Sequence, residues 1–138
     1  NPRVDAAGRD AAQALLGAVG HTVWIEDEAL MDAVTAVSGS GPAYFFLLAE
    51  AMQAAAEAQG LPPAAARDLV LHTALGAARM LVESGEDAAT LRQRVTSPGG
   101  TTQAALETFE AGGLRLLTDR AIIAATHRGG ELSRAIEG

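Results

Sequence analysis

The stretch GPAYFFLLA, residues 41–49, predicts a helix that is apolar around most of its circumference. Pro42 suits a helix start, because the N–H that proline lacks would have no intrahelical acceptor in the first turn. We expect this helix to run from Ala43 to about Gln59 and to end at Gly60. A helix with so wide an apolar surface must be buried on several sides, either at the centre of a monomeric bundle or against a partner chain.

Helical patterns continue after this stretch, and the composition suits close-packed helices. Hydrophobic residues make up 49% of the 138 residues, aromatic residues only 4%, and alanine recurs throughout. Start and stop signals predict further helices over residues 27–37, 63–83, 87–95, 101–112 and 114–136, the last one weakened by Gly129-Gly130. The long helix puts Leu71, Leu75, Ala78 and Val82 on one face, and the last helix carries Leu117, Ile122 and Ile123 inward. The fold class we expect is an all-α helical bundle.

The first residues have a different character. Asp5 can cap a short helix that ends at Gly17, and residues 21–26 alternate in type and are rich in β-forming residues, which is typical of a strand. A lone strand leaves its backbone groups unpaired, so we interpret residues 1–26 as the end of a truncated sheet domain and residues 27–138 as a helical domain. The start at Asn1-Pro2, without an initiating methionine, suggests that this chain begins inside a longer protein.

Charge and cysteine content exclude several kinds of function. The net charge is −7 and the arginines are dispersed, which argues against a nucleic-acid partner. No apolar run approaches the roughly 20 residues that a membrane-spanning helix needs, so we expect no membrane partner. The sequence contains no cysteine, and its histidines are scattered, so we expect neither a disulfide nor a metal site. Together these features favour a soluble, cytoplasmic protein.

Two glycine-containing segments are candidates for ligand binding. Gly39-Ser40-Gly41 resembles the start of a dinucleotide fingerprint, but Tyr44 stands where that motif requires its third glycine. A glycine turn with a serine cap explains this segment better, although it could also form a wall against which a small ligand approaches the backbone.

The second segment, Ser97-Pro98-Gly99-Gly100-Thr101-Thr102, sets two glycines and three hydroxyl groups at a predicted helix start. First-turn N–H groups have no internal partners and attract anions, so this turn suits a carboxylate or a phosphate. The alternative is an ordinary turn capped by a threonine, with Gln103 or Glu107 in the first turns, and spacing alone slightly favours that alternative.

Residues 32–44, from Asp32 to Tyr44, and residues 91–107, with the core VTSPGGTT, resemble the two signature stretches of pyrroline-5-carboxylate reductases. The resemblance covers essentially the whole chain. Residues 1–26 resemble the end of the family's Rossmann domain, and residues 27–138 resemble its helical domain. The fold implied is an intertwined dimer, with the possibility of a higher oligomer of dimers.

The resemblance implies reduction of 1-pyrroline-5-carboxylate to L-proline with NADPH or NADH, the last step of proline biosynthesis. The cofactor would be bound mainly by the missing N-terminal domain, so the resemblance assigns no cofactor-binding residue to this chain. We therefore expect the chain to be inactive by itself.

The resemblance also implies roles for particular residues. Ser97 and the backbone amides of Gly100 and Thr101 would hold the substrate carboxylate beside Gly99, and Thr102 would be the catalytic residue, with its hydrogen bond near the imine nitrogen. Further residues would line the same pocket between two chains: Thr35, Ser38, Gly39, Ser40 and Gly41. Some members of the family have a glutamate near the substrate amine at the position of Gly85; here Glu86 is its neighbour, which puts that contact in doubt.

Three other functions fit parts of this pattern. The chain could be a purely structural oligomerisation module, a phosphate-binding regulatory domain, or the substrate domain of a related imine or acid reductase. Binding of proline or of phosphate at the turn of residues 97–102 separates these possibilities.

Overall fold

The computed structural model describes residues 3–137, and every regular element within that range is a helix. Asn1, Pro2 and Gly138 lie outside the described residues, and with them the expectation about the start of the chain. The elements are α1 (Ala6–Gly17), a 3₁₀ turn (Glu28–Leu30), α2 (Met31–Val34), a π-helix (Thr35–Gly39), α3 (Gly41–Ala58), α4 (Pro63–Glu83), α5 (Ala88–Arg94), α6 (Thr101–Ala111) and α7 (Leu114–Glu137). The all-α class is confirmed. None of these helices is both long and apolar enough to cross a membrane.

Most helix ends lie where local signals predict them. Asp5 accepts a hydrogen bond from the backbone N–H of Gly8 at 2.8 Å and caps α1. Helix α4 begins with Pro63 in its first turn. At the end of α3, Gly60 has φ +95°, its N–H bonds to the Glu57 carbonyl at 2.9 Å, and the next N–H reaches back to Ala56. Such a closing turn requires a left-handed residue, which glycine provides without steric strain.

The segment before α3 differs from the predicted glycine turn. The backbone stays helical through residues 35–41, and the N–H of Ser40 bonds to the Thr35 carbonyl, five residues back, at 2.9 Å. Ser40 makes no side-chain cap. The expected turn and serine cap are therefore wrong, because a π-helical turn absorbs one extra residue without leaving the helical region of backbone conformation.

This extra residue changes the partner of one buried carbonyl. In a continuous α-helix the Ser40 N–H would reach the carbonyl of Ala36, but here it bonds to Thr35 instead. Ala36 is only 1% exposed, so an unpaired carbonyl there would be costly. The Tyr44 hydroxyl, from the first turn of α3, donates to it at 3.0 Å. Tyr44 thus fastens α3 to the π-helix that precedes it.

The strand predicted over residues 21–26 is absent from the described residues. Among the described residues, no second strand pairs with residues 21–26. Side-chain contacts attach this stretch to α1 instead. Trp24 donates through Nε1 to Gln13 at 2.5 Å, Gln13 donates to the hydroxyl of Thr22, and the Arg9 guanidinium lies 4.4 Å from the centre of the Trp24 ring. The division of the chain at residue 26 stays a prediction.

Helix α7 continues through Gly129 and Gly130, and its packing explains why glycine stands there. A Cβ atom at Gly129 would lie 3.0 Å from one carboxylate oxygen of Asp32, and one at Gly130 would lie 3.1 Å from the other. The bare backbone of α7 therefore lets α2 approach closely, which offsets the low helix propensity of glycine.

The protomer buries little apolar surface for its size. Its accessible surface is 10996 Å², whereas a compact monomer of 14.1 kDa is expected to expose about 6,700 Å². The buried hydrophobic residues among those described are Ala36, Ala66, Val70 and Leu91. Helix α3 packs on α4, and α2 and the π-helix pack on α7, but these pairs do not close into one bundle.

Several apolar side chains on α3, α4 and α7 are consequently exposed. Phe45 on α3 is 73% exposed, and Val82 on α4 is 83% exposed. Leu71, Leu75, Leu117 and Ile123 are likewise exposed. The inward orientation expected for Leu117 and Ile123 is wrong for a single protomer, because both side chains are exposed to solvent. So much uncovered apolar surface is typical of an interface.

We expect Tyr44→Phe to lower the free energy of unfolding by about 1–3 kcal/mol, because the buried Ala36 carbonyl loses its donor. Urea unfolding at one fixed protein concentration measures the change. Ser38→Ala is the matched control, since the exposed Ser38 hydroxyl bonds to the Val34 carbonyl and its loss should cost no more than about 0.5 kcal/mol. Equal losses in the two variants would contradict the role given to Tyr44.

Candidate functional site

The turn between α5 and α6 has a defined geometry. The Gly100 N–H bonds to the Ser97 carbonyl at 3.0 Å, and Gly99 has φ +69°. Pro98 cannot adopt a positive φ, so the four residues form a type II β-turn, with proline and glycine at the positions where this turn favours them. Glycine at position 99 is required by the positive φ.

Helix α6 begins directly after this turn and leaves donors free. Gly100 is its N-cap residue, and no side chain caps the helix, so the expected threonine cap is wrong. The backbone N–H groups of Thr101, Thr102 and Gln103 have no acceptor among the described residues. The Gly100 N–H, which the resemblance assigns to the substrate carboxylate, is already bonded within the turn. The free amides therefore begin at Thr101.

The Ser97 hydroxyl lies where a side chain on Gly100 would be. A Cβ atom at Gly100 would be 2.5 Å from Ser97 Oγ and 3.1 Å from the Ser97 carbonyl oxygen. Gly100 is thus needed for space, whereas Gly99 is needed for its backbone conformation. The absence of a side chain at residue 100 keeps the serine hydroxyl beside the start of α6.

Gln103 and Glu107 hold this turn from the first turns of α6. The Gly99 N–H donates to Gln103 Oε1 at 2.8 Å, and Gln103 Nε2 donates to Glu107 Oε1 at 2.7 Å. The sequence had suggested these two residues only as part of an ordinary capped turn. A more specific signal was available, since glutamine at the third position of a helix commonly reaches back to a backbone N–H before it.

Ion pairs on both sides stabilise the region. Arg92 of α5 lies 3.5 Å from Glu110 of α6, and Arg115 of α7 bonds to the same carboxylate at 2.7 Å. The hydrogen bonds from Arg115 lower the pKa of Glu110, so this carboxylate stays charged at neutral pH.

Glu86, the neighbour of Gly85, pairs with Arg94. Its carboxylate is therefore already engaged in this protomer.

The residues of the first signature stretch lie on and after the π-helix. The Thr35 hydroxyl donates to the Met31 carbonyl at 2.9 Å, and the Ser38 hydroxyl donates to Val34 at 3.0 Å. Both hydroxyl oxygens keep a lone pair for another donor. Gly39 is exposed, Ser40 is half-buried and Gly41 is buried at the start of α3.

A single protomer does not bring the two signature stretches together through their helices. The π-helix packs against α2, α3 and α7, whereas α6 packs only against α7 among the described elements. The residues of the first stretch and the N-terminus of α6 are thus separate parts of the protomer. Residues 3–137 also contain no group of three acidic, histidine or cysteine residues that could hold a metal ion.

The family model for pyrroline-5-carboxylate reductase dimerisation matches residues 28–132. The chain belongs to this family. The resemblance found in the two signature stretches is therefore confirmed, and the matched range includes both of them.

Curated relatives agree with this assignment. A pyrroline-5-carboxylate reductase from Pseudomonas aeruginosa is 52% identical over 136 residues, which are 99% of this chain and 50% of that protein. One from Haemophilus influenzae is 50% identical over 125 residues, which are 90% of this chain and 46% of that protein. The chain spans about half the length of the curated relatives it matches.

Solved structures agree as well. A pyrroline-5-carboxylate reductase from Coxiella burnetii has a TM-score of 0.91 and 45% identity, and the match covers 96% of this chain and 49% of that one. A pyrroline carboxylate reductase from Plasmodium falciparum, with NADP bound, has a TM-score of 0.83 and 29% identity, and covers 94% of this chain and 49% of that one. The helical arrangement described above is thus the one found in about half of each of these enzymes.

Proposed function

We propose that the chain is the substrate-binding and dimer-forming part of a reductase that converts 1-pyrroline-5-carboxylate to L-proline. The family assignment supports the reaction class. One structural observation carries the proposal. The type II turn of residues 97–100 leads into α6, and the backbone N–H groups in the first turn of α6 have no acceptor among the described residues. This arrangement suits the one anionic group of the substrate, its carboxylate.

The carboxylate would be held mainly by backbone groups. The N–H groups of Thr101 and Thr102 are free, and the partial positive charge at the N-terminus of α6 adds to their attraction for an anion. The Ser97 hydroxyl, close to Gly100, supplies a further donor. No residue from 97 to 102 is charged, so the site needs no side-chain cation. We assign Gly99 and Gly100 to its backbone wall.

Thr102 is the residue we propose for contact with the reacting imine. Its side chain is half-buried, and its hydroxyl has no hydrogen-bond partner among the described residues. The exposed Thr108 hydroxyl, on the same helix, bonds instead to the Ala104 carbonyl. A free hydroxyl one residue into α6 is available to hydrogen-bond near the imine nitrogen. Its contribution would be orientation of the substrate for hydride transfer.

The hydride would come from NADPH or NADH. Gly39-Ser40-Gly41 joins the π-helix to α3, and Ser40 has helical backbone angles, so this segment lacks the open loop that would wrap a phosphate. We therefore assign nucleotide binding to the part of the longer reductases that this chain does not cover. The nicotinamide supplies the hydride when it is bound, and the residues of this chain hold the substrate.

We further propose that the active unit is a homodimer, which could associate into a higher oligomer of dimers. The 10996 Å² surface and the exposed apolar faces of α3 and α4 call for a partner of complementary shape. A second copy would also bring Thr35 and residues 38–41 of one chain to the turn of the other, since a single chain keeps them apart. Each substrate pocket would then require both protomers.

A purely structural oligomerisation module is the second candidate, favoured by the same exposed faces. It would need no affinity for proline at the turn. Ligand binding at residues 97–102 is therefore the measurement that separates an enzyme part from a scaffold.

We expect a two-fold dimer in solution, because the apolar faces of α3 and α4 need cover. Sedimentation equilibrium at tens of micromolar should give a mass close to twice 14.1 kDa, since an interface of this extent persists at such concentrations. A single species of 14.1 kDa would contradict the dimer.

Gly100→Val should abolish binding of L-proline, because its Cβ would collide with Ser97 and displace the hydroxyl. Ser97→Ala should weaken binding by only about 0.5–1.5 kcal/mol, the usual net value of one hydrogen bond. Calorimetric titration of the reductase that carries this chain measures both effects, and far-ultraviolet circular dichroism checks its helix content. Gly20→Val, at a glycine with open space around it, is the control. Undiminished binding by Gly100→Val would exclude the turn as the carboxylate site.

Thr102→Ala should lower kcat/KM of the reductase by roughly 10- to 1,000-fold, the range for one hydrogen bond that acts in the transition state. Its melting temperature should change little, because the hydroxyl has no partner within the protomer. Thr108→Ala, six residues further along the same helix, should keep wild-type kinetics. If Thr102→Ala matches the wild type in kcat/KM, the residue has no part in catalysis.

A further inference from the structure

We propose that Gln103 is a positioning residue that locks the Pro98–Gly99 peptide and so keeps the carboxylate site open. The inference rests on the proposed function. It concerns a side chain that does not hold the substrate and to which the resemblance assigns no role. Its basis is the pair of hydrogen bonds that link Gly99, Gln103 and Glu107.

The peptide that Gln103 holds is the one that decides the turn type. Type I and type II turns differ mainly by a flip of their central peptide, which here joins Pro98 to Gly99. Proline at the second position is compatible with both types, and glycine at the third position can adopt either sign of φ. The sequence of the turn therefore favours type II but permits both states, and a contact from outside the turn adds to the preference for one.

Gln103 supplies that contact. Its Oε1 accepts the N–H of the Pro98–Gly99 peptide at 2.8 Å, in the orientation where Gly99 has φ +69°. A flip would turn the Pro98 carbonyl towards the side now occupied by this N–H, and the carbonyl oxygen would then face the acceptor oxygen of Gln103. The flipped state would thus lose one hydrogen bond and gain a repulsive contact between two acceptors.

Glu107 fixes which end of the Gln103 amide faces the turn. A carboxylate only accepts hydrogen bonds, so its contact at 2.7 Å requires the amide nitrogen of Gln103. The amide oxygen is left for Gly99. Both hydrogen bonds therefore require the same orientation of the Gln103 amide, with its oxygen towards Gly99 and its nitrogen towards Glu107.

The consequence for binding follows from charge. In the flipped state the partial negative charge of the Pro98 carbonyl would point to the first turn of α6, where the substrate carboxylate is to be held. The carbonyl would compete with the carboxylate for the free amides of that turn. Loss of the lock should therefore weaken substrate binding more than it affects the cofactor or the fold.

Gln103→Met tests this in the reductase that carries the chain, because methionine keeps the length of the side chain and removes both hydrogen bonds. We expect KM for 1-pyrroline-5-carboxylate to rise about 3- to 10-fold, the equivalent of one hydrogen bond. KM for NADPH and the melting temperature should stay close to the wild type. Gln93→Met makes the same chemical change at an exposed position on α5, and it should leave every parameter unchanged.

Gln103→Glu gives a second test that does not depend on how well the methionine variant folds. It keeps an acceptor for the Gly99 N–H but adds a negative charge beside the site. KM for the substrate should rise, and added salt should reduce the rise because it screens the repulsion. An unchanged substrate KM in Gln103→Met would overturn the lock, as would equal increases in KM for substrate and cofactor. A rise in Gln103→Glu that is as large as in Gln103→Met and that salt does not reduce would also overturn it, because Gln103→Glu keeps the acceptor for the Gly99 N–H. If the reductase that carries this chain had no activity, the proposed function itself would be overturned. If its substrate KM rose in Ser97→Ala but not in Gln103→Met, only this inference would be overturned.

Discussion

Helix α3 is apolar around most of its circumference, and the rest of the described chain covers only part of that apolar surface. The π-helix and α4 cover part of it, yet Phe45 and Phe46 stay exposed. The same shortage affects α4 and α7, whose leucines stay exposed in the protomer. The helices consequently form separate packed pairs instead of a closed bundle, and the apolar surface that they leave uncovered is the physical reason for the proposed association.

The π-helix adapts the start of α3 to that arrangement. One extra residue between α2 and α3 shifts the hydrogen-bond register, and the Tyr44 hydroxyl takes over the carbonyl of Ala36 that the shift leaves without its α-helical donor. The backbone then passes from α2 to α3 with helical angles, so Thr35 and Gly39 lie on the π-helix and Gly41 starts α3. At the opposite side of α2, bare backbone at Gly129 and Gly130 allows α7 to pack closely. Small residues and one tyrosine thus fix the first half of the candidate site.

The second half depends on a turn with little rigidity of its own. Two adjacent glycines follow Pro98. The side chain of Gln103 accepts a hydrogen bond from the Gly99 N–H and is itself held by Glu107. The ion pair of Arg92 with Glu110 joins the helices on either side. A site made of backbone amides needs such support, because amides bind an anion well only when they are held in one orientation.

The sequence by itself determined the all-α class, most helix ends and the two stretches that identify the family. These features are local: Asp5, Pro63 and Gly60 act on backbone groups within a few residues of themselves. Only the tertiary structure decided that residues 21–26 form no strand, that residues 35–39 form a π-helix, and that the Gly100 amide is bonded within its turn. It also decided that the apolar faces of α3, α4 and α7 stay exposed in one chain and that Gln103 holds Gly99. Each of these depends on which group lies nearest in space, and hydrophobic periodicity does not contain that information, because a shift of one residue in helical register or a flip of one peptide leaves the pattern unchanged.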